Sequence, residues 1–345
     1  MEAIIHAKRW KGSEAPRKIL VIRFQALGDT VITLPYLQSL KKQFPQCELH
    51  LLTRVEVSHI PKHLQLFERV FVLHGGRQAK VQFALALLKV PGLWSQNYDA
   101  IIDLQNNRIS RIVRKILNPE SWSEFDLFSP VSAGERTRRT IESIWTWEAL
   151  PEFSFVRKQH TSRAIQILEE NGFRDGNELV ILNPAGYCTS RNWPLKRYVE
   201  FAQKWCENIN PSTQFVLLLL PTHYQKARFL KEGIGDACID LTGKADQVHA
   251  FDIVAEASLV LTEDSGLMHM AWTQRIPTVA LFSSSRKDWS GPQGNWSVCL
   301  DSSDLDCGPC ALEVCKYGDN RCLTRYSADF VLEQANHLRL NRQYA

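Results

Sequence analysis

The chain has 345 residues, enough for two domains of ordinary size and too many for one simple core. Hydrophobic residues make up 44% and charged residues 23%, the balance of a soluble globular protein, and a formal charge of +4 gives no reason to expect nucleic acid as a partner. The N-terminus lacks the apolar stretch of a signal peptide, and the longest strongly apolar run, FVLLLLP at 215–221, is far too short to span a bilayer, so an intracellular protein is expected.

Residues 1–16 are polar and aperiodic and read as a flexible tail. KILVIRF (18–24) has the pattern of a buried strand, and a glycine turn and an amphipathic helix follow it in QALGDTVITLPYLQSLKKQFP. CELHLLTR (47–54), RVFVLH (69–74) and YDAIIDLQ (98–105) continue the alternation of strands with helical stretches. A parallel sheet covered on both faces is the fold this dictates for residues 17–155. The pattern restarts after a linker near 150–160 and governs residues 156–326. Its strands are ELVILNPAG (178–186), STQFVLLLLP (212–221), ACIDLTG (237–243), ASLVLTED (257–264) and IPTVALFSS (276–284). A final helix, 327–340 within a 327–345 segment, opens at Ser327 as its N-cap and is expected to pack back on the first domain.

Two doubly wound domains facing each other create a cleft lined by the C-terminal ends of both sets of strands, where ligands bind. LVLTEDSGLMHMA (259–271) belongs to such an end. A short strand stops at Glu263 and Asp264, and a helix opens after Ser265 and Gly266. The first backbone N–H groups of that helix suit an anion. Nine cysteines are present, five of them isolated. Cys307, Cys310, Cys315 and Cys322, in a loop at 307–322, have the spacing C-x2-C-x4-C-x6-C. In an intracellular chain that spacing favours a structural tetrathiolate site for zinc or iron over disulfides.

Four stretches in order carry a resemblance. KILVIRFQALGDTVITLPYLQSLKKQFP, ILNPAGYCTSRNWPLKRYVEFA, LTEDSGLMHMAWTQRIPTVALF and CGPCALEVCKYGDNRC together resemble the bacterial heptosyltransferase family, glycosyltransferase family nine, over roughly residues 17–340. The resemblance implies the GT-B architecture, two Rossmann-like domains facing across a cleft. It also implies inverting transfer without a catalytic cofactor, an ADP-heptose donor and a lipopolysaccharide inner-core acceptor. The place of action would be the cytoplasmic face of the inner membrane, with the protein bound peripherally.

It further gives roles to residues. Asp29 of LGDT stands where the family's proposed general base stands, and a plain N-cap is the alternative reading. Gly28 permits the turn before it and counts among the expected donor-binding residues. Thr189, Ser190 and Arg191 supply hydroxyls and a cation to a leaving diphosphate, with Arg191 where the family usually carries lysine. Trp193 and Pro194 pack and turn the chain. Ser265, Gly266 and Leu267 would bind the diphosphate, Asp264 the donor sugar, and His269 either of them. On the acceptor side stand Asp103 and Gln105 at a strand end, with Arg108 and Arg136 from the basic stretches NNRISRIVRK and GERTRRT. The acidic residue that family members often carry after FVLLLLP, for the donor ribose, is missing from THYQKARF. That leaves two alternatives: another nucleotide-sugar donor or its isomerisation on the same fold, and a non-catalytic nucleotide-sugar-binding protein.

Overall fold

The computed structural model of the chain describes residues 5–76, 78–158, 162–186 and 188–342. It divides into two compact units, Met1–Gln159 and His160–Ala345. Part of the expected linker, residues 159–161, lies outside the described residues.

The first unit runs β1 (Ala7–Lys8), β2 (Lys18–Ile22), α1 (Leu27–Gln43), β3 (Glu48–Arg54), α2 (His59–His63), β4 (Arg69–Leu73), α3 (Ala79–Trp94), β5 (Ala100–Asp103), α4 (Arg108–Leu117), β6 (Ser121–Glu124) and α5 (Ala133–Glu142). Its sheet has the order β1-β6-β5-β2-β3-β4, parallel except for β1. Ile19 to Ile22 and Ala100 to Ile102 are fully buried, as strands covered on both faces must be, and this is why they read as unbroken apolar runs. The chain reverses its direction of winding between the neighbouring strands β2 and β5, where Ile22 lies opposite Asp103.

The expected flexible tail is corrected here. Ala7 and Lys8 pair with Ser123 and Trp122 of β6, Glu124 N–H donates to the His6 carbonyl at 2.9 Å, and Trp10 N–H donates to the Ile144 carbonyl at 3.0 Å. A polar segment serves this purpose because an edge strand needs backbone partners, not apolar side chains. Residues 1–4 of the tail lie outside the described residues.

The second unit runs α6 (Ser162–Glu170), β7 (Glu178–Asn183), α7 (Leu195–Asn208), β8 (Thr213–Leu217), α8 (Tyr224–Ile234), β9 (Cys238–Asp240), α9 (Gln247–Ala255), β10 (Leu259–Glu263), α10 (Gly266–Trp272), β11 (Thr278–Leu281), α11 (Lys287–Ser290), β12 (Ser297–Leu300), α12 (Arg321–Thr324) and α13 (Ala328–Arg342). All strands are parallel, in the order β12-β11-β10-β7-β8-β9, the doubly wound arrangement with its switch point between β7 and β10. Ser327 caps α13 by accepting the Phe330 N–H at 3.2 Å. This helix joins the second unit's own core through Val331, Ala335 and Leu338, beside Trp193, Tyr198 and Trp205. Its apolar stripe completes the face of the sheet that α7 covers in part.

Candidate functional site

In the first unit, the ends of β2 and β5 bring Arg23, Gln105 and Asp29 together. Gln105 Oε1 accepts the N–H groups of Phe24 (2.8 Å) and Gln25 (3.2 Å) and so fixes the turn into α1. Asp29 is the third residue of α1. Its Oδ2 accepts the Ala26 N–H at 3.0 Å and pairs with Arg23 Nη2 at 2.9 Å. Arg23 is buried, donates to the Leu104 carbonyl and lies 5.3 Å from the Phe125 ring centroid. The Asp29 side chain is 42% exposed, and these polar contacts fall on Oδ2. Gly28 lies within the first turn of α1 and is not among the glycines of positive φ. The reading of Gly28 as a turn residue is therefore corrected; what it offers is a helix start without a Cβ.

The acceptor assignments fare unevenly. Asp103 is fully buried, and its Oδ1 accepts the N–H groups of Gln105 (3.1 Å) and Asn106 (2.8 Å). Burial pushes its carboxyl up to about 6 against those hydrogen bonds. It holds the β5–α4 turn and presents nothing to a ligand, which corrects its assignment. Arg136 is also buried, 5.2 Å from the Phe125 ring centroid, with Nη1 near the Asp126 and Leu127 carbonyls at 3.4 Å, and it too is corrected to a structural role. Arg108, Arg111 and Lys115 are exposed along α4, with Arg108 at its first turn.

In the second unit, β7 and β10 end side by side, Asn183 opposite Thr262. Asn183 Nδ2 donates to Thr262 Oγ1 and Ser265 Oγ, both at 2.8 Å, locking the turn that opens α10. Ser265 is the N-cap, accepting from the Met268 N–H at 3.5 Å. Beyond it, Arg191 Nη1 pairs with Asp264 Oδ2 at 3.2 Å, the two side chains 27% and 14% exposed. Two residues 73 positions apart that were assigned to one site thus meet. His269 is buried; the Trp272 indole N–H, a donor only, donates a hydrogen bond to His269 Nδ1 at 3.0 Å.

Ser190 and Thr189 point elsewhere. The buried Ser190 hydroxyl donates to the Leu312 carbonyl at 2.5 Å and lies 3.0 Å from Ser284 Oγ, while the Thr189 hydroxyl donates to the Glu313 carbonyl at 3.2 Å. Their assignment to the diphosphate is corrected: a buried hydroxyl takes the nearest carbonyl, and here that carbonyl belongs to the cysteine loop. The expected packing role of Trp193 holds. It is buried against Tyr198, ring centroids 4.8 Å apart, and its indole N–H donates to the Tyr326 carbonyl at 3.0 Å.

The residue that organises this end is Glu263, the last of β10 and fully buried. Its Oε2 accepts the Gly186 N–H at 2.6 Å. Its Oε1 accepts the Trp193 N–H at 2.7 Å and the Tyr198 hydroxyl at 3.3 Å. One carboxylate therefore clamps both ends of the 186–193 loop, which carries Arg191, to the strand that carries Asp264. Burial raises its carboxyl to about 7, opposed first by Lys226 and then by those hydrogen bonds. Lys226, on α8, donates to the Pro184 carbonyl at 2.8 Å and to Asn192 Oδ1. Neither residue had been given this role by the sequence. Lys226 lies in THYQKARF, the segment marked only by its missing carboxylate.

Gly186 closes the clamp. A Cβ there would run into the Arg191 carbonyl and lie 2.7 Å from Glu263 Oε2. Gly186→Ala is expected to destabilise the second unit by about 1–3 kcal/mol, the usual cost of overpacking, which thermal melting measures.

All nine cysteines are free. Cys307, Cys310, Cys315 and Cys322 line one small cavity of about 30 Å³ together with Ser190 and Arg321. Backbone N–H groups, that of Tyr317 foremost, hold the Cys315 thiol below its ordinary value. Yet among the described residues no group of three or more His, Cys, Asp or Glu is placed to hold a metal ion. The four thiols of the expected tetrathiolate thus share one cavity without standing as a formed ligand set. The thiols take separate partners, Cys315 lying 3.9 Å from Asp319 Oδ1 and Cys322 donating to the Asn320 carbonyl, while Cys310 is exposed.

Two doubly wound parallel sheets, each with polar residues gathered at its switch point, define a GT-B protein, and solved structures share the fold. The glycosyl transferase family 9 protein of Veillonella parvula superposes with a TM-score of 0.78 at 17% identity, over 94% of this chain and 97% of that one. TibC of enterotoxigenic E. coli is described as an iron-containing dodecameric heptosyltransferase and was solved with ADP-D-β-D-heptose. That complex superposes with a TM-score of 0.54 at 13% identity, over 94% of this chain and 77% of that one. Lipooligosaccharide heptosyltransferase 2 of Campylobacter jejuni is 22% identical over 325 residues, 91% of this chain and 96% of its own. The model of glycosyltransferase family 9 (heptosyltransferase) matches residues 150–320. The chain belongs to that family.

Proposed function

We propose that the protein transfers a heptose from ADP-heptose to the inner core of lipopolysaccharide or a related glycolipid, with inversion at the anomeric carbon. The observation that carries this reading is the Arg191–Asp264 pair at the β7/β10 switch point. A guanidinium beside a carboxylate at a strand end supplies the two things a nucleotide-sugar donor needs. The cation meets the diphosphate, and the carboxylate accepts from sugar hydroxyls. Ser265 with the N–H groups of Gly266 and Leu267 lies at the opening of α10 beside them, and His269 on its inner face completes the donor set.

The chemistry follows from these parts. As the donor's C1–O bond to the diphosphate breaks, negative charge grows on the departing phosphate oxygen, and Arg191 stabilises it. The acceptor hydroxyl attacks C1 from the opposite face and gives its proton to Asp29 Oδ1, while Arg23 on Oδ2 orients that carboxylate. Arg108, and the Gln105 turn that fixes Asp29, belong to the acceptor side. No cofactor is assigned a step. The acceptor is lipid-linked, so the reaction is placed at the cytoplasmic face of the inner membrane. No helix among the described residues is long and apolar enough to cross it.

Arg191→Ala tests the reading. It is expected to lower ADP affinity at least about tenfold by titration calorimetry and to lower kcat as well, because the cation contacts ground state and leaving group alike. Unchanged affinity with unchanged kcat removes Arg191 from the site.

A further inference from the structure

Helix α3 is apolar on the wrong side. Its sixteen residues, AKVQFALALLKVPGLW, bury only Ala86 and Leu93 fully, seven positions apart on one face. At 3.6 residues per turn the opposite face carries Ala84, Leu88 and Pro91, and Phe83, Leu87 and Trp94 form a further apolar row on the flank beside it. Leu88 is 75% exposed and Trp94 65%, with Val81, Phe83 and Leu87 exposed beside them. A contiguous apolar face of this kind on a soluble unit marks a surface that is covered in use.

The charge around it says by what. From Arg69 to Tyr98 the sequence contains no Asp or Glu, while Arg69, Arg77, Lys80 and Lys89 are all basic. Lys80 stands in the first turn of α3 and Lys89 in its second half. Apolar side chains, a Trp at one end and flanking lysines are the composition of a helix that lies in the headgroup plane of an anionic membrane. Sixteen residues extend about 24 Å, short of the roughly 30 Å hydrocarbon core, so the helix lies along the surface and does not cross. A second copy of the chain fits less well, because self-pairing would set one Lys80/Lys89 pair against another.

We propose that the exposed face of α3 is the surface by which the protein docks on an anionic phospholipid bilayer. The apolar row enters the acyl boundary and Lys80 and Lys89 meet lipid phosphates. This rests on the membrane part of the proposed function and gives it a place in the fold; Asp29, Arg191 and Asp264 have no part in it.

The test uses the full chain and vesicles of phosphatidylglycerol with phosphatidylethanolamine, against vesicles of phosphatidylcholine alone. The parent protein is expected to co-sediment with the anionic vesicles and to be released at least about tenfold as salt rises. Leu87→Glu with Leu88→Glu is expected to lower the bound fraction at least about tenfold, and Lys80→Glu with Lys89→Glu to weaken it similarly. Both variants should keep the parent melting temperature, ADP affinity and rate with a water-soluble, delipidated core oligosaccharide. Trp94→Ser, at an exposed position, repeats the test should the double variant fold poorly. Absence of parent binding, equal binding to phosphatidylcholine alone, or undiminished binding by the variants overturns the proposal. So does an oligomer that the Leu variants dissolve without any vesicle binding. Failure of the delipidated-acceptor reaction in the parent would instead count against the transferase reading, leaving vesicle binding to stand or fall by itself.

Discussion

Asp29→Asn is expected to lower the rate of transfer at least about 10²-fold while leaving ADP binding unchanged, the scale set by loss of a general base. The substitution is nearly isosteric. An amide oxygen still accepts the Ala26 N–H, so α1 keeps its first turn. What is lost is the acceptor for the substrate proton and the charge facing Arg23. Arg23 keeps its hydrogen bond to the Leu104 carbonyl and its place near Phe125, and Asp29 is part-exposed, so the stability cost should stay below the about 3–5 kcal/mol of breaking a fully buried pair. Single-turnover rates with saturating donor separate the two effects. A variant that turns over at the parent rate would reduce Asp29 to a helix cap.

The second large effect belongs to Glu263. Glu263→Ala leaves the Gly186 and Trp193 N–H groups and the Tyr198 hydroxyl without their acceptor in a buried place. Each orphaned donor costs about 1–3 kcal/mol, so a loss of at least about 3 kcal/mol is expected. In a unit of this size that lowers the melting temperature by about 6–12 °C. ADP affinity should fall with it, because the 186–193 loop that carries Arg191 loses its anchor to β10. Glu263→Gln isolates the charge. A carboxyl whose folded value, about 7, stands above the ordinary 4.5 contributes stability that is present below about pH 4.5 and is lost as pH rises through about 7. The amide has no such dependence. The stability difference between variant and parent should therefore move in the variant's favour as pH rises from about 5 to about 7. A difference that stays flat across that range would mean that the buried carboxyl titrates at its ordinary value.

Why the sequence discloses the sheets so well and the site less well has a physical answer. Strands such as Ile19–Ile22 and Leu259–Leu261 are covered on both faces, so their apolar runs are unavoidable. The strands that escaped notice are β1 and β6 at one edge and β12 at the other. Ser121 and Ser123 of β6 are buried yet polar, and β1 has only two residues, so neither carries a hydrophobic period. Of the candidate site residues, Asp29, Asp264 and Arg191 lie on strand-end motifs whose order is characteristic. Their meeting with particular partners is less visible. Lys226 acts through contacts with Pro184 and Asn192, more than thirty residues away in the chain, and no local spacing announces these. Asp103 and Ser190 misled for the opposite reason. Both are polar residues at strand ends or loops, where ligands bind, but their side chains are consumed by backbone groups of the protein itself. Type and position suggested a ligand, and burial decided against it.

The cysteine loop is tied to the segment that leads to Arg191. The Thr189 and Ser190 side chains reach the carbonyls of Glu313 and Leu312, so the segment before Arg191 is held from one side by Glu263 and from the other by residues 312–313. Loops positioned by rigid strands in this way are where binding residues concentrate.

The central claim, inverting heptosyl transfer from ADP-heptose, is tested most directly by incubating the purified protein with ADP-heptose and a lipopolysaccharide inner-core acceptor. ADP and glycosylated product are quantified together, and the new linkage is read by NMR. The expected result is ADP release that requires the acceptor, equals the heptosylated product mole for mole, and yields an anomeric configuration opposite to the donor's. Turnover confined to another nucleotide sugar, isomerisation of the donor without an acceptor, or a product of retained configuration would contradict it.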